Sequence, residues 1–343
     1  VLDELQRVVQ QEALPYTGAL GLPALREAIA GFYQSAHGLT LSPDRIVVTA
    51  GASAALLLVT AALVNPGDEV LVGDPSYPCN RQFLSGFGAN VCLVPTSAAS
   101  RFQLDLAAVQ NHWRAGTKGL MIATPSNPTG TSVPPAELAA ICQWAQQHGA
   151  WRIVDEIYLN LSDADAQGRP APTVLAADPE AIVINSFSKY FGMTGWRLGW
   201  AVVPEAMVPV MERLAQNYYI CASTPAQLAA LACFTPESIA ECEARRREFA
   251  ARRALVLEGL AQAGLPVPVL PDGAFYVYID VSHTGLDAMQ FCQRALQEAH
   301  VALTPGYDFG QCSAASHVRL SYAASRDDLQ EGLARLQRFV STL

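Results

Sequence analysis

The 343-residue sequence predicts an α/β fold: a three-layer αβα large domain with a mostly parallel mixed sheet, then a smaller α+β C-terminal domain. Three features point that way. Short apolar runs alternate with helical stretches from residue 45 onward, the spacing of crossover units on a largely parallel sheet. Runs such as 181–184 and 199–203 are apolar throughout and read as buried strands. Near residue 235 the composition shifts to a long charged helix, which strand and helix then follow in turn.

Each element has its own signal. Leu2, Leu5, Val8 and Val9 stand at helical spacing, so residues 2–11 form a short amphipathic helix. Glycines and a proline make 16–23 a loop, and Pro23 opens a helix whose apolar face is Leu25, Ile29, Phe32 and Tyr33; Gly38 ends it. Strands are predicted at 45–49, 69–72, 91–94, 119–123 and 152–154, with helices at 53–64, 77–86, 104–113 and 135–148. Beyond the shift, the helix 236–263 carries Glu241, Arg245, Arg246, Arg247 and Glu248. A strand (275–279), a helix (287–299), a strand (318–322) and a helix (326–341) complete the chain. The expected division is therefore 1–15, a helix packing with the small domain; 16–235, the large domain; and 236–343, the small one.

The bulk composition removes several classes of function. With 51% hydrophobic and 15% charged residues the chain is a folded globular protein, not a disordered one. A net charge of −9 disfavours nucleic acid and anionic membranes as partners. The eight cysteines are scattered without a C-x-x-C, which predicts buried thiols in a reducing compartment and no metal site. No apolar stretch reaches the length of a membrane span, and residues 1–5 lack the regions of a signal peptide, so a cytoplasmic location is expected.

Six segments carry chemistry. Ser186-Phe187-Ser188-Lys189 and, eight residues beyond the lysine, Arg197 lie between two buried strands. A lysine among apolar and hydroxylated neighbours is partly desolvated, which lowers its pKa and frees the amine to attack a carbonyl; alone, it also reads as a solvated loop residue. Gly51-Ala52-Ser53 leads a strand into a helix, where free N–H groups and the helix dipole suit a phosphate, or simply form a tight turn. Tyr77 follows Asp74-Pro75-Ser76 at a strand end, where it could lie flat against a ring or be an ordinary loop aromatic. Asn127 is the one sizeable polar group of a proline-fixed turn, 124–130, which turn chemistry alone also explains. Asp155 and Glu156 end an apolar strand, with Tyr158 just after; a buried acid there needs a cationic partner or caps a helix. Arg319 stands on a largely apolar strand, as a carboxylate fork or as a surface residue.

Taken together, S-x-S-K-x-x-x-M-T-G-W-R-L-G and the five other segments resemble the class I/II aminotransferases of the fold-type-I, pyridoxal-phosphate-dependent family, the aspartate aminotransferase type. The resemblance runs from Tyr16 to the end of the chain. It implies pyridoxal 5′-phosphate as cofactor, bound as a Schiff base on Lys189, with Asp155 paired to the ring nitrogen. Asn127 and Tyr158 would bond the ring's phenolic oxygen and Tyr77 would stack on the ring. Gly51, Ala52, Ser53, Ser186 and Arg197 would grip the phosphate, with Tyr16 reaching in from a second subunit of a homodimer. Arg319 would clamp the α-carboxylate of the substrate, with Asn127 as a second substrate-binding residue. Lys189, Asp155 and Tyr158 are the expected catalytic residues.

The implied reaction is ping-pong transfer of an amino group between an amino acid and a 2-oxo acid. A β-lyase or decarboxylase would keep every cofactor residue, and a regulator that senses the cofactor would keep most of them, though no basic DNA-binding segment is present. Members of the family carry an arm ahead of the first helix that closes over substrate; this sequence begins at Val1 and does not include it. No second cation for a distal carboxylate stands out. Arg81 is a candidate, while Tyr218 and Tyr219 could line an apolar side-chain pocket or simply pack.

Overall fold

A computed structural model of the chain describes residues 1–11, 13–165 and 167–343. In chain order its elements are α1 (Leu2–Gln11), α2 (Pro23–His37), β1 (Ile46–Thr49), α3 (Ala52–Leu63), β2 (Glu69–Asp74), α4 (Pro78–Gly86), β3 (Asn90–Pro95), α5 (Leu106–His112), β4 (Thr117–Ala123), α6 (Pro135–Gln147), β5 (Trp151–Asp155), β6 (Ile182–Ser186), β7 (Gly199–Val202), α7 (Val208–Tyr218), α8 (Thr224–Ala230), α9 (Pro236–Gln262), β8 (Tyr276–Asp280), α10 (Ala288–Ala299), β9 (Thr304–Pro305), β10 (His317–Ser321) and α11 (Arg326–Val340).

Seven strands form one mixed sheet in the order β1-β7-β6-β5-β4-β2-β3. Its inner pairs are parallel except around β7, which runs antiparallel to both β6 and β1. Successive strand residues divide between two cores. Val48, Leu120, Ile122, Val154 and Val183 face one; Val47, Met121, Ile153, Ile182 and Ile184 face the other. Helices cover both faces, so both residue sets must be apolar, and the strands read as unbroken apolar runs. Helix α3 is apolar on nearly every side because it lies between this sheet and α7. A separate three-stranded antiparallel sheet, β8-β10-β9, packs with α9, α10 and α11 around a third core that includes Val277, Phe291, Val318 and Leu336.

The structure departs from the sequence reading at α1, at α7 and α8, and at the two-residue strand β9, which the sequence reading lacks. Helix α1 packs chiefly on α8, inside the segment 16–235, and only its first residues lie beside the start of α9. Of its apolar face only Val8 is fully buried, while Leu2 and Val9 stay exposed, so the spacing marks an apolar stripe without naming what covers it. Helices α7 and α8 have no counterpart in the expected elements. Pro209 and Pro225 stand in their first turns, where a missing N–H costs nothing, and read there as helix starts, not as breaks.

At the start of β5, away from the strand ends that bear the chemistry, Arg152 forms a buried bidentate pair with Asp178: Nε to Oδ2 at 2.7 Å and Nη2 to Oδ1 at 2.6 Å. Asp178→Ala leaves a buried guanidinium unpaired. The expected cost is about 3–5 kcal/mol, read from the urea unfolding midpoint. A loss below about 1 kcal/mol would show that the pair is solvated.

Candidate active site

Because β1, β2, β4, β5 and β6 run in the same direction, Thr49, Asp74, Ala123, Asp155 and Ser186 end on one edge of the sheet. Strand β7 runs the other way, so its first residue, Gly199, opposite Ser186, returns the chain to that edge. A crevice beyond the carboxyl ends of parallel strands is where sheets of this kind take ligands. A cavity of about 310 Å³ lies there. Ala52, Ser53, Tyr77, Asn127, Asp155, Tyr158, Ser186, Lys189, Arg197 and Arg319 all line it, residues drawn from six separate segments. Gly51 is not among the lining residues. Tyr16 does not join the cavity of its own chain and is 79% exposed.

Lys189 leaves β6 and directs Nζ between two rings, 5.5 Å from the centroids of Tyr158 and Phe275. Burial pushes its amine below the usual lysine value and the nearby Arg197 and Arg319 add to this, while Asp155 pulls the other way. Asp155 is buried at the end of β5, and Oδ1 accepts a hydrogen bond from the N–H of Ile157 at 3.1 Å. Desolvation raises its carboxyl to about 6 even against that bond and the lysine's attraction. Such a carboxylate gains from any further cation that enters the cavity. Its neighbour Glu156 is turned away, as alternation along a strand requires. Glu156 accepts from Thr173 Oγ1 and Val174 N–H, both at 2.7 Å, and is therefore structural.

The phosphate-like corner is the N-terminus of α3. Gly51, the residue before that helix, has φ +83, and a Cβ there would sit 2.7 Å from Arg197 Nη2. Only glycine lets the guanidinium come so close to the turn. Arg197 is itself left-handed (φ 51) and donates from Nη1 to the carbonyl of Thr194 at 3.0 Å. Ser53 and Ser186 complete the wall. Free N–H groups, two hydroxyls and a cation make a site for an anion.

Across the cavity, Arg319 on β10 lies between the rings of Tyr276 and Phe309, 4.6 and 4.9 Å from their centroids. Nη1 donates to Asn127 Oδ1 at 2.9 Å and Nη2 to Thr304 Oγ1 at 3.1 Å. Among the described residues buried Nε has no partner, and Nη1 and Nη2, with one bond each, keep a second N–H for an incoming carboxylate. With its oxygen engaged by Arg319, Asn127 keeps its NH₂ for another acceptor. Arg81 is not a second clamp: its two Nη groups donate to the carbonyls of Phe309 and Asp308, and it does not line the cavity. Tyr218 and Tyr219 are also outside the wall.

The sequence profile of the family described as aminotransferase class I and II matches residues 1–336. The chain belongs to that family. It is 41% identical to valine–pyruvate aminotransferase of Mycobacterium tuberculosis over 94% of this chain and 82% of the relative. It is 35% identical to arginine–pyruvate transaminase of Pseudomonas aeruginosa over 94% and 81%. Among solved structures, an aminotransferase from M. tuberculosis superposes with a TM-score of 0.94 at 38% identity, covering 100% of this chain and 88% of that one. Aspartate aminotransferase of Thermus thermophilus with maleate gives 0.92 at 34%, covering 98% and 87%.

Members of this family use pyridoxal 5′-phosphate, and the residues of this aminotransferase fit that group. A desolvated amine, a buried carboxylate short of a cation and a helix N-terminus cleared of side chain at Gly51 face one space. Among the described residues no group of His, Cys, Asp and Glu could hold a metal, and no helix is long and apolar enough to cross a membrane. Sequence reasoning left Ser188, Thr194 and Tyr276 out of the site; all three line the cavity. Ser188 and Thr194 stand inside the lysine segment and were open to selection there. Tyr276 lies in a strand rich in aromatics and gave no signal of its own.

Proposed function

We propose that this aminotransferase binds pyridoxal 5′-phosphate in the cavity and exchanges an amino group between an amino acid and a 2-oxo acid. The observation that carries this is the desolvated amine of Lys189 facing the same space as the buried carboxylate of Asp155 and the guanidinium of Arg319. Bound there, the cofactor supplies an aldehyde for the amine and a ring that takes up the electron pair left by Cα–H cleavage. Lys189 is the attachment point and the base that moves the Cα proton. Asp155 keeps a proton on the ring nitrogen by ionic attraction in a dry pocket. Asn127 and Tyr158 donate to the phenolic oxygen, and Tyr77 packs on the ring. Gly51, Ala52, Ser53, Ser186 and Arg197 hold the phosphate. Arg319 holds the α-carboxylate and so fixes which Cα bond faces the ring.

Pyruvate is the first acceptor to try, on the strength of the two pyruvate-dependent relatives. The exposed Tyr16 supports a homodimer in which each copy completes its neighbour's phosphate site; sedimentation at micromolar concentration tests this. Cysteines unpaired throughout the described residues support a reducing, cytoplasmic location, which fractionation would check.

Protein mixed with the cofactor is expected to turn yellow, and borohydride to fix the coloured group on Lys189. An amino acid then bleaches the band and releases its 2-oxo acid. A β-lyase would instead recover the band and release pyruvate and ammonia. Protein that stays colourless rejects the proposal. In Gly51→Ala, strain at a positive φ and the clash with Arg197 should weaken cofactor phosphate binding at least about tenfold, read by equilibrium titration. Unchanged affinity would move the anion site elsewhere.

A further inference from the structure

Tyr276 joins two parts of the site that the family reading treats separately. It is carried on β8 opposite Ser321 of β10, two positions from Arg319, so the two side chains are diagonal neighbours on one face of the small sheet. Its ring covers the Arg319 guanidinium at 4.6 Å. Its hydroxyl lies 2.9 Å from that of Tyr158 and has no other hydrogen-bond partner among the described residues. Both tyrosines are buried. Two buried phenols that share one hydrogen bond must agree on which of them donates.

Resting on the cofactor reading above, we propose that Tyr276 is a positioning residue: its hydroxyl donates to Tyr158, and its ring holds Arg319 for the substrate carboxylate. The direction follows from counting protons. Tyr158 has one, and when it points at an oxygen in the cavity, its own oxygen is left to accept. Among the described residues the only hydroxyl or N–H bonded to it is that of Tyr276. A phenol that accepts a hydrogen bond donates a stronger one, so the chain Tyr276, Tyr158, cavity oxygen is cooperative. A stronger donor favours the anionic form of that oxygen and lowers the pH at which the bound cofactor changes colour. Other groups facing this network are Asp155 at the end of β5, Lys189 after β6, Arg319 on β10, Arg197 before β7, and Tyr77 with Cys79 at the start of α4. The substitutions below leave all of them in place.

The test is the absorbance titration of the holoprotein. Tyr276→Phe keeps the ring and the packing but removes the hydroxyl. The midpoint should move up by about 0.5–1 pH unit, with the KM for amino acid changed less than about threefold. Tyr276→Leu also removes the ring face from Arg319, and KM should rise about 3- to 30-fold. In a Tyr158→Phe background, adding Tyr276→Phe should give no further shift, because the hydroxyl acts only through Tyr158. An unmoved midpoint in Tyr276→Phe, or a shift that adds fully to that of Tyr158→Phe, overturns the proposal. A wild-type protein with no visible band overturns the cofactor reading instead, and is seen before any variant is made.

Discussion

Lys189→Ala is expected to fold normally and to lose activity by about ten-thousand-fold or more. The amine is asked to do two jobs, attachment and proton transfer, and proton transfer by a positioned base alone is worth a hundred- to ten-thousand-fold. Among the described residues no other amine lines the cavity, whose remaining cations are the guanidinium groups of Arg197 and Arg319. Guanidinium stays protonated and cannot substitute. Removing a partly desolvated ammonium should cost the fold little, so the urea midpoint of the cofactor-free variant should stay within about 1 kcal/mol of wild type. A variant that keeps a tenth of the wild-type rate would show that the base is another group. Lys189→Arg separates charge from chemistry: it should be as inactive as the alanine variant.

Asp155→Asn should be slower by about a thousandfold and yet, without cofactor, more stable at alkaline pH. The folded-state carboxyl titrates at about 6 against an ordinary value of 3.8, chiefly because burial penalises its charge. A carboxyl whose pKa rises on folding binds its proton more tightly in the native state, so stability falls as pH rises. The cost is absent below pH 4, grows between 4 and 6, and is fully present above 6. Two units correspond to about 3 kcal/mol. Asparagine keeps an oxygen for the N–H of Ile157 and carries no charge. The variant should therefore gain up to about 3 kcal/mol over wild type at pH 8 and nothing at pH 3.5, measured by urea unfolding. Equal stability of the two proteins at pH 8 would mean that Lys189 already neutralises the carboxylate. Adding cofactor should erase the difference, because a cation then meets the acid.

The lysine segment, the acid at the end of β5 and the glycine turn before α3 were legible because strand ends are easy to find. Where parallel strands end, side chains collect on one edge, and the order of apolar runs says which residues those are. Arg319 was legible only through resemblance, since one cation on a strand says nothing about what lies opposite. Phe309 and Tyr276, which cover its two faces, come from a loop and a neighbouring strand, and the pairing of β8 with β10 brings them there. Helix α1 shows the same limit: periodicity identifies an apolar face, but whether and by what it is covered depends on distant chain, and here Leu2 and Val9 stay exposed. Glu156 is the converse case. Beside Asp155 in sequence it looked equally chemical, and only the alternation of a strand sends it to Thr173 instead.

The reversal at β7 has a consequence for assembly of the protein. Had the chain left β6 through another crossover helix, the next strand would have started at the far edge, roughly 15 Å away for a strand of this length. Turning straight back delivers Lys189 and Arg197 to the same rim within eight residues. The groups proposed to meet the aldehyde and the phosphate are thus neighbours on one local reversal of the chain. Such short-range closure is fast compared with gathering the remaining strands, so the approach of these two side chains depends less on the rest of the chain than the arrival of the distant β10 arginine does.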